Sequence, residues 1–476
     1  MKMTDVNIIE KNGMKIQKVI RYLLYLFLFL LPWQTRWIYK IGEIGGGVWE
    51  YGTLSFYGTE ILLWTVILIF AFWKFGNKEF WKEFHQKIKK PSKNSKLFLL
   101  VYFVSLVLFG LILFFSLSFD ISLQWGVWWL GSLCLGVVIV LYCHPERSEG
   151  SKEQILRSAQ NDKTQSFIIA LWLGGVLQGL LAFVQFFMQW TPANKWLGWA
   201  YHSGIDGGAS VIEFTGGRFL RAYGSFGWPN SLGIYLGVCL IIGLIIYLKT
   251  KNSRLKIFIT IGQLFVLSGL ILSFSRSAWL AGVIGVLVLL IFNFKDIVRQ
   301  VLYYSLLVTI YLLILFPLFS ARLNLENRLE SRSVDERISQ YQEFSSILNQ
   351  EDTKYEILNT RYLFGVGPGN YTLALEEIYP ERNSWGYQPV HNIYLLSLAE
   401  LGIFGFLIYW GLVLFLLRQV WKNNKVFLAP ILALLIAGLF DHWLFSMYTG
   451  VVFFWVVFAL SFRPKQSGVE CSGGIA

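Results

Sequence analysis

The sequence predicts an all-α integral membrane protein with about twelve transmembrane helices. Both termini are expected in the cytoplasm, with one large extracytoplasmic loop containing short helices. Three observations predict this. Of the 476 residues, 55% are hydrophobic and only 15% charged, with a mean hydropathy of +0.53, whereas a soluble domain carries about 25% charged residues. The apolar residues come in blocks of roughly 18 to 25, enough to cross the hydrocarbon core. The basic residues of the short loops fall on one side of these blocks, as the positive-inside rule requires.

The elements follow in order. Lys15, Lys18 and Arg21 precede the apolar run YLLYLFLFLLPW. No small-x-small cleavage site follows, so the run reads as an uncleaved first span. Twelve segments can be marked, at 19–32, 54–73, 97–115, 122–142, 166–188, 229–248, 256–274, 277–293, 300–319, 391–417, 426–445 and 447–462. The loop 74–96 holds eight lysines, and 249–256, 294–299, 418–425 and 463–465 are also basic. If every segment spans, all these loops share the side of the N-terminus, which places both termini inside. The net charge of +12 therefore reads as topology signal and contact with anionic lipid heads, and no nucleic-acid partner is expected. The 20 Trp and 23 Tyr suit the membrane–water interface. Cys134, Cys143, Cys239 and Cys471 show no metal or redox spacing.

This divides the chain into N-terminal spans (1–143), a cytoplasmic loop (144–165), central spans (166–319), a large outer loop (320–389), C-terminal spans (390–462) and a cytoplasmic tail (463–476). Segment 144–165 looks foreign. One coding of its HPERSEG half has a reverse complement close to its ILRSAQND half. It resembles a translated palindromic repeat that entered a tolerant loop, and no chemistry is assigned to it. The 70-residue outer loop contains NRLESRSVDERISQYQEFSSIL, with apolar residues at helical spacing. Short amphipathic helices resting on the outer membrane surface are expected there.

Four stretches place polar groups at the outer face. In RFLRAYGSFGWPNSLGIYL (218–236), Arg221 precedes a glycine-rich turn, and Pro229 and Asn230 open a span. In LSFSRSAWLAG (272–282), Arg276 sits between two spans joined almost without a loop. An arginine in a short outer loop opposes the positive-inside bias and is a functional candidate. NTRYLFGVGPGNYT (359–372) has no following Lys-Ser/Thr and faces away from ATP, so it reads as a turn allowing close backbone approach rather than a nucleotide loop. Finally, His391 and Asn392 open the tenth span, where helix-start N–H groups favour anions.

Together these residues suit displacement at a diphosphate leaving group. Arginines match phosphate geometry, and a neutral histidine accepts a proton from an attacking hydroxyl. No outer Asp/Glu cluster has metal spacing, so no metal and no cofactor is expected; the arginines would stabilise the charge. The residues alone leave open that His391 is an interfacial helix-start residue making a local hydrogen bond. Asp441 and His442 read as a helix cap, with an acceptor-side role as the alternative.

The ordered set is more specific than its parts. An Arg–Gly–aromatic–Pro–Asn stretch, then SxSR, a long outer loop ending in GVGPGNY, and HNxYLxxxxELGxxG closely resemble the O-antigen ligase and polymerase superfamily over about 218–410. The resemblance implies a metal-independent membrane glycosyltransferase at the outer face of a bacterial cytoplasmic membrane. Such an enzyme takes a glycan from a polyprenyl diphosphate donor and joins it to a glycan, lipid or protein acceptor. By motif match, Arg221 and Arg276 would hold the diphosphate and His391 would be the base. Arg218 and Arg337 are weaker diphosphate candidates. Gly365, Gly367, Pro368, Gly369 and Asn370 would shape the loop, and Asn392 and Tyr394 would support the helix start. A repeat-unit polymerase of the same family is the near alternative. A transporter or flippase is the distant one; it would place ionisable groups at mid-membrane, whereas here they gather at one face.

Overall fold

The computed structural model describes residues 3–76, 109–143, 153–349 and 360–461. The third expected span lies mostly outside the described residues, as do most of the lysine-rich loop, the first half of the repeat-like segment and the cytoplasmic tail.

The described chain is mainly helical. Its long helices are α1 (Met3–Leu30), α2 (Gly58–Phe75), α3 (Phe119–Cys143), α4 (Glu153–Met188), α5 (Pro229–Lys249), α6 (Ser253–Leu272) and α7 (Arg276–Ile314). The segments α8 (Phe316–Leu323), α9 (Arg328–Asn349), α10 (Thr360–Phe364) and α11 (Tyr371–Ile378) precede α12 (Ile393–Asn423), α13 (Leu428–Ala437), α14 (Trp443–Ser446) and α15 (Tyr448–Ser461). Among the described residues, seven helices are long and apolar enough to cross a membrane: α2 to α7 and α12. The last two expected spans fall on shorter apolar helices, Lys425–Ala437 and Tyr448–Ser461. The expected eighth and ninth spans fall on the single run α7. A straight helix of that length would reach about 58 Å, nearly twice the hydrocarbon core. Asn293, at φ −144° and ψ 37°, breaks it where the basic loop was expected.

Three features differ from the sequence expectation. Residues 153–165, expected in a loop, form the start of α4, because Glu, Gln, Leu, Arg and Ala there are good helix formers. The segments 33–57 and 190–220 carry eight short strands in four two-stranded sheets, where β-branched and aromatic residues alternate around glycine turns. Finally, α9 is a 22-residue helix rather than a short one.

At the centre α5 packs against α4, α6, α7 and α13 and is buried nearly throughout. With apolar lipid outside, helices need specific polar contacts as well as close packing. Gln263 of α6 supplies them: it donates to the Leu240 carbonyl (2.7 Å) and accepts from Trp172 Nε1 (3.1 Å).

The GVGPGN loop meets α12 where that helix breaks. Gly402 has φ +64°, which frees the preceding carbonyls. Val366 N–H donates to Ala399 O and Gly367 N–H to Glu400 O, both at 3.0 Å. The Glu400 carboxylate accepts from Gly369 N–H (2.8 Å) and Tyr371 N–H (3.3 Å). Pro368 O accepts from Ser122 Oγ at 3.0 Å. Asn370 donates to Ser122 Oγ, Val366 O and Ser118 O at 2.9–3.3 Å. The two backbones approach at Gly365 and Gly402. A Cβ at Gly365 would lie 2.3 Å from Glu400 O, and one at Gly402 would lie 2.3 Å from Leu363 O. We predict that Gly402→Ala destabilises the protein by roughly 1–3 kcal/mol. Gly411, on the same helix, has open space around its missing Cβ, so Gly411→Ala should be neutral or stabilising by up to about 1 kcal/mol. Thermal unfolding in detergent checks both; equal behaviour would contradict the role given to the break.

Candidate functional site

The site is built on the tight α6–α7 turn, Ser273–Phe274–Ser275–Arg276. Phe274 adopts φ +47°, rare for a residue with a Cβ. Its fully buried ring packs among Phe186, Trp279 and Phe319, with centroids 5.0–5.9 Å away. That packing offsets the backbone cost of about 1–3 kcal/mol. The turn presents two carbonyls to two arginines. Ser273 O accepts from Arg221 Nε at 2.8 Å, and Phe274 O accepts from Arg322 Nε at 3.0 Å. Arg276 is the next turn residue and opens α7, where the helix dipole adds partial positive charge.

One carboxylate serves this group. Glu330, buried on α9, pairs with Arg276 at 3.0 Å and also binds Arg322. Arg221 has only neutral partners; its other nitrogen donates to Asn230 Oδ1 at 2.7 Å. Arg337, half-buried on α9, is close enough to lower the proton affinity of Arg322. Burial comes first in lowering the pKa values of Arg221, Arg322 and Arg337, and their arginine neighbours lower them further. Guanidinium groups stay charged under such stress. Arg221, Arg276 and Arg322 therefore gather around one buried carboxylate, with Arg337 nearby and balanced mainly by the buried Asp441, an arrangement that an anion would relieve.

The sequence reading differs from this picture at three points. Arg218 stands apart, in the hairpin Val211–Phe214/Gly217–Leu220, opposite Glu213 at 3.4 Å and more than a third exposed. The start of α12 is closed rather than open to an anion. Asn392 caps it by accepting from Tyr394 N–H (2.9 Å) and Leu395 N–H (3.1 Å), and Ile393 N–H donates to Gly438 O at 2.8 Å. Tyr394 turns away and donates to Leu435 O at 2.8 Å. On α9, the apolar residues Val334, Ile338 and Tyr341 are exposed while Glu330 and Gln340 are buried. The helix turns its polar stripe inward because the arginines and His391 supply partners there.

His391 precedes α12 and is half-buried. Gln340 Oε1 lies 3.2 Å from its N–H and 2.9 Å from Nδ1. The ring meets His442 edge-on at 5.0 Å between centroids. His442 in turn contacts Ser446 Oγ at 2.6 Å and Tyr51 Oη at 3.4 Å; it holds the N-cap position of α14, but its side chain makes no cap hydrogen bond. Asp441 does the local work, accepting from Trp443 N–H at 2.9 Å. Burial, then His442, push the His391 pKa down to about 3, with Arg337 lowering it and Asp441 and Glu336 opposing. The ring is thus a neutral proton acceptor at neutral pH.

Arg322, Glu330 and Gln340 were not singled out from the sequence. Arg322 carried a signal, since it follows an apolar run at the end expected to face outward. Glu330, Arg337 and Gln340 share one α9 face at spacings of seven and three. We predict that Glu330→Ala, which leaves buried arginines uncompensated, costs roughly 3–5 kcal/mol. Arg218→Ala should cost about 1 kcal/mol or less, as for an exposed ion pair. Thermal unfolding distinguishes them; a neutral Glu330→Ala would contradict the charge assignment.

No curated protein and no solved structure matches the chain. Residues 261–410 match a family model described as O-antigen ligase. That stretch holds the turn with Arg276, the α8–α9 region with Arg322, Glu330, Arg337 and Gln340, and the α12 start with His391. Over residues 261–410 the chain is thus similar to the O-antigen ligase family.

Proposed function

We propose that this protein is a glycosyltransferase that moves a glycan from a polyprenyl diphosphate carrier to an acceptor hydroxyl, without a cofactor. In this reading it works at the outer face of a bacterial cytoplasmic membrane, with twelve spans and both termini inside. The observation that carries the reading is the cluster of Arg221, Arg276 and Arg322 around the carboxylate of Glu330, with Arg337 close enough to both the cluster and His391 to act on their charge. Excess buried guanidinium charge suits the two phosphates of a leaving group, and a neutral ring beside it suits a base.

The chemistry is a single displacement. The acceptor oxygen attacks the anomeric carbon, and a new carbon–oxygen bond forms as the bond to the diphosphate oxygen breaks. The carrier diphosphate leaves with its charge held by the arginines. The hydroxyl proton passes to His391 and then to water. One attack at one face inverts the anomeric centre, so a product of retained configuration would contradict the mechanism. The ligase form, with a lipid or protein acceptor, and a repeat-unit polymerase share this chemistry, and the size of the product separates them.

The test is transfer in membranes supplied with a polyprenyl diphosphate oligosaccharide. His391→Ala should lower the rate about 10²–10⁴-fold, and Arg276→Ala or Arg221→Ala on the order of 10²-fold or more. Robust transfer by all three variants would remove this site. The pH dependence has a definite sign. Because the folded His391 pKa is lowered to about 3, the base stays neutral and the rate should be flat over about pH 5 to 8. The unfolded chain protonates this histidine near pH 6.5, so its contribution to stability falls as pH drops from there toward 3. An acid limb in the rate with a midpoint near 6.5 would contradict the assignment.

A further inference from the structure

We propose that Gln340 is a positioning residue that fixes the tautomer of His391, holding the ring proton on Nδ1 so that Nε2 is the atom that takes the acceptor's proton. This deepens the reading above and rests on it for the catalytic role of His391.

Geometry and donor–acceptor chemistry fix the tautomer. One atom of the Gln340 amide faces two groups of the same residue: the backbone N–H of His391 at 3.2 Å and ring Nδ1 at 2.9 Å. A backbone N–H only donates, so the facing amide atom must be the oxygen. This settles an orientation that an isolated glutamine would leave open. An amide oxygen only accepts, so Nδ1 must carry a hydrogen. In a neutral ring the other nitrogen is then unprotonated. Nε2 is left with a free lone pair, and no protein partner for it occurs among the described residues.

Gln340 is held rigidly enough for the task. It is buried and lies one helical turn beyond Arg337 on the same face of α9. Glu330 anchors that face through Arg276 and Arg322. One helix therefore joins the arginine cluster to the base. His442 does not compete for the proton on Nδ1: its ring meets His391 edge-on, and its own nitrogens face Ser446 and Tyr51.

The test has two readouts. The first is solid-state ¹⁵N NMR of histidine-labelled protein in lipid at neutral pH. The chain has five histidines, and the signal lost in His391→Ala assigns the ring. In the wild type, Nδ1 should read as protonated and Nε2 as unprotonated; the reverse pattern overturns the proposal without any variant. Gln340→Leu removes the acceptor and should move the population toward the Nε2–H form, while Gln340→Glu retains an acceptor and should keep the wild-type pattern. An unchanged tautomer in Gln340→Leu also overturns it.

The second readout is transfer. Gln340→Leu should lower kcat at least about tenfold with KM for the donor little changed; a wrong tautomer costs on the order of 10⁴ in the serine-protease triad. Gln340→Glu should recover most of the rate. The groups facing His391 are His442, Asp441, Arg337 and Glu336. An added carboxylate at 340 favours the protonated ring, so this variant should gain an acid limb at higher pH than the wild type. The absence of that limb counts against the proposal, and the tautomer change in Gln340→Leu is the readout that a merely structural role would not move. If the wild type transfers nothing from any donor while the NMR pattern holds, the catalytic reading falls and the tautomer assignment stands.

Discussion

The site depends on one turn of backbone. Between α6 and α7 the chain reverses in a few residues, and the left-handed conformation of Phe274 turns successive carbonyls toward two arginines from distant parts of the sequence. Arg221 arrives from the hairpin segment before α5, and Arg322 from the short helix after α7. Arg221 has no carboxylate among its hydrogen-bond partners, and Arg322 shares Glu330 with Arg276. A carbonyl orients a guanidinium without cancelling its charge. The turn therefore aligns positive charge and leaves it available, at a backbone cost offset by the packing of the Phe274 ring.

The rest of the loop-rich end supports that arrangement. Glu330 supplies one negative charge, enough to tie α9 to the turn but too little to neutralise Arg221, Arg276 and Arg322 together. The inward face of α9 is polar because its partners are charged or hydrogen-bonding. The broken α12 has a separate task. Its freed carbonyls and Glu400 hold the GVGPGN loop, so those glycines serve backbone approach rather than phosphate binding. Its closed, Asn392-capped start fixes the residue before it, which is His391.

Much of the bundle was legible in the sequence because lipid-crossing helices must be long and apolar, a signal carried by composition alone. The hairpins were not, because strands of two to five residues leave too short a pattern to separate from loop. The continuation of α4 into 153–165 was missed for another reason: the segment was read by its origin rather than by its helix propensity. At the site, Arg276 stood out because a charge in a short loop expected outside opposes the usual bias, Arg221 because it precedes a glycine-rich turn that opens a span, and His391 because it stands at the start of one. Arg322, Glu330 and Gln340 did not. Their meaning lies in which face of α9 turns inward, and an amphipathic pattern alone pointed to the apolar face. The partner of each buried polar group is a tertiary fact, and the spacing on α9 becomes readable only once the arginines are in place.

The measurement that tests the central claim most directly is a cryo-EM map of the protein in lipid with a polyprenyl diphosphate bound. The account predicts phosphate density within hydrogen-bonding distance of Arg221, Arg276, Arg322 and Arg337, with His391 Nε2 facing the bond to be broken. Diphosphate density elsewhere, with the arginine cluster still closed on Glu330, would contradict it.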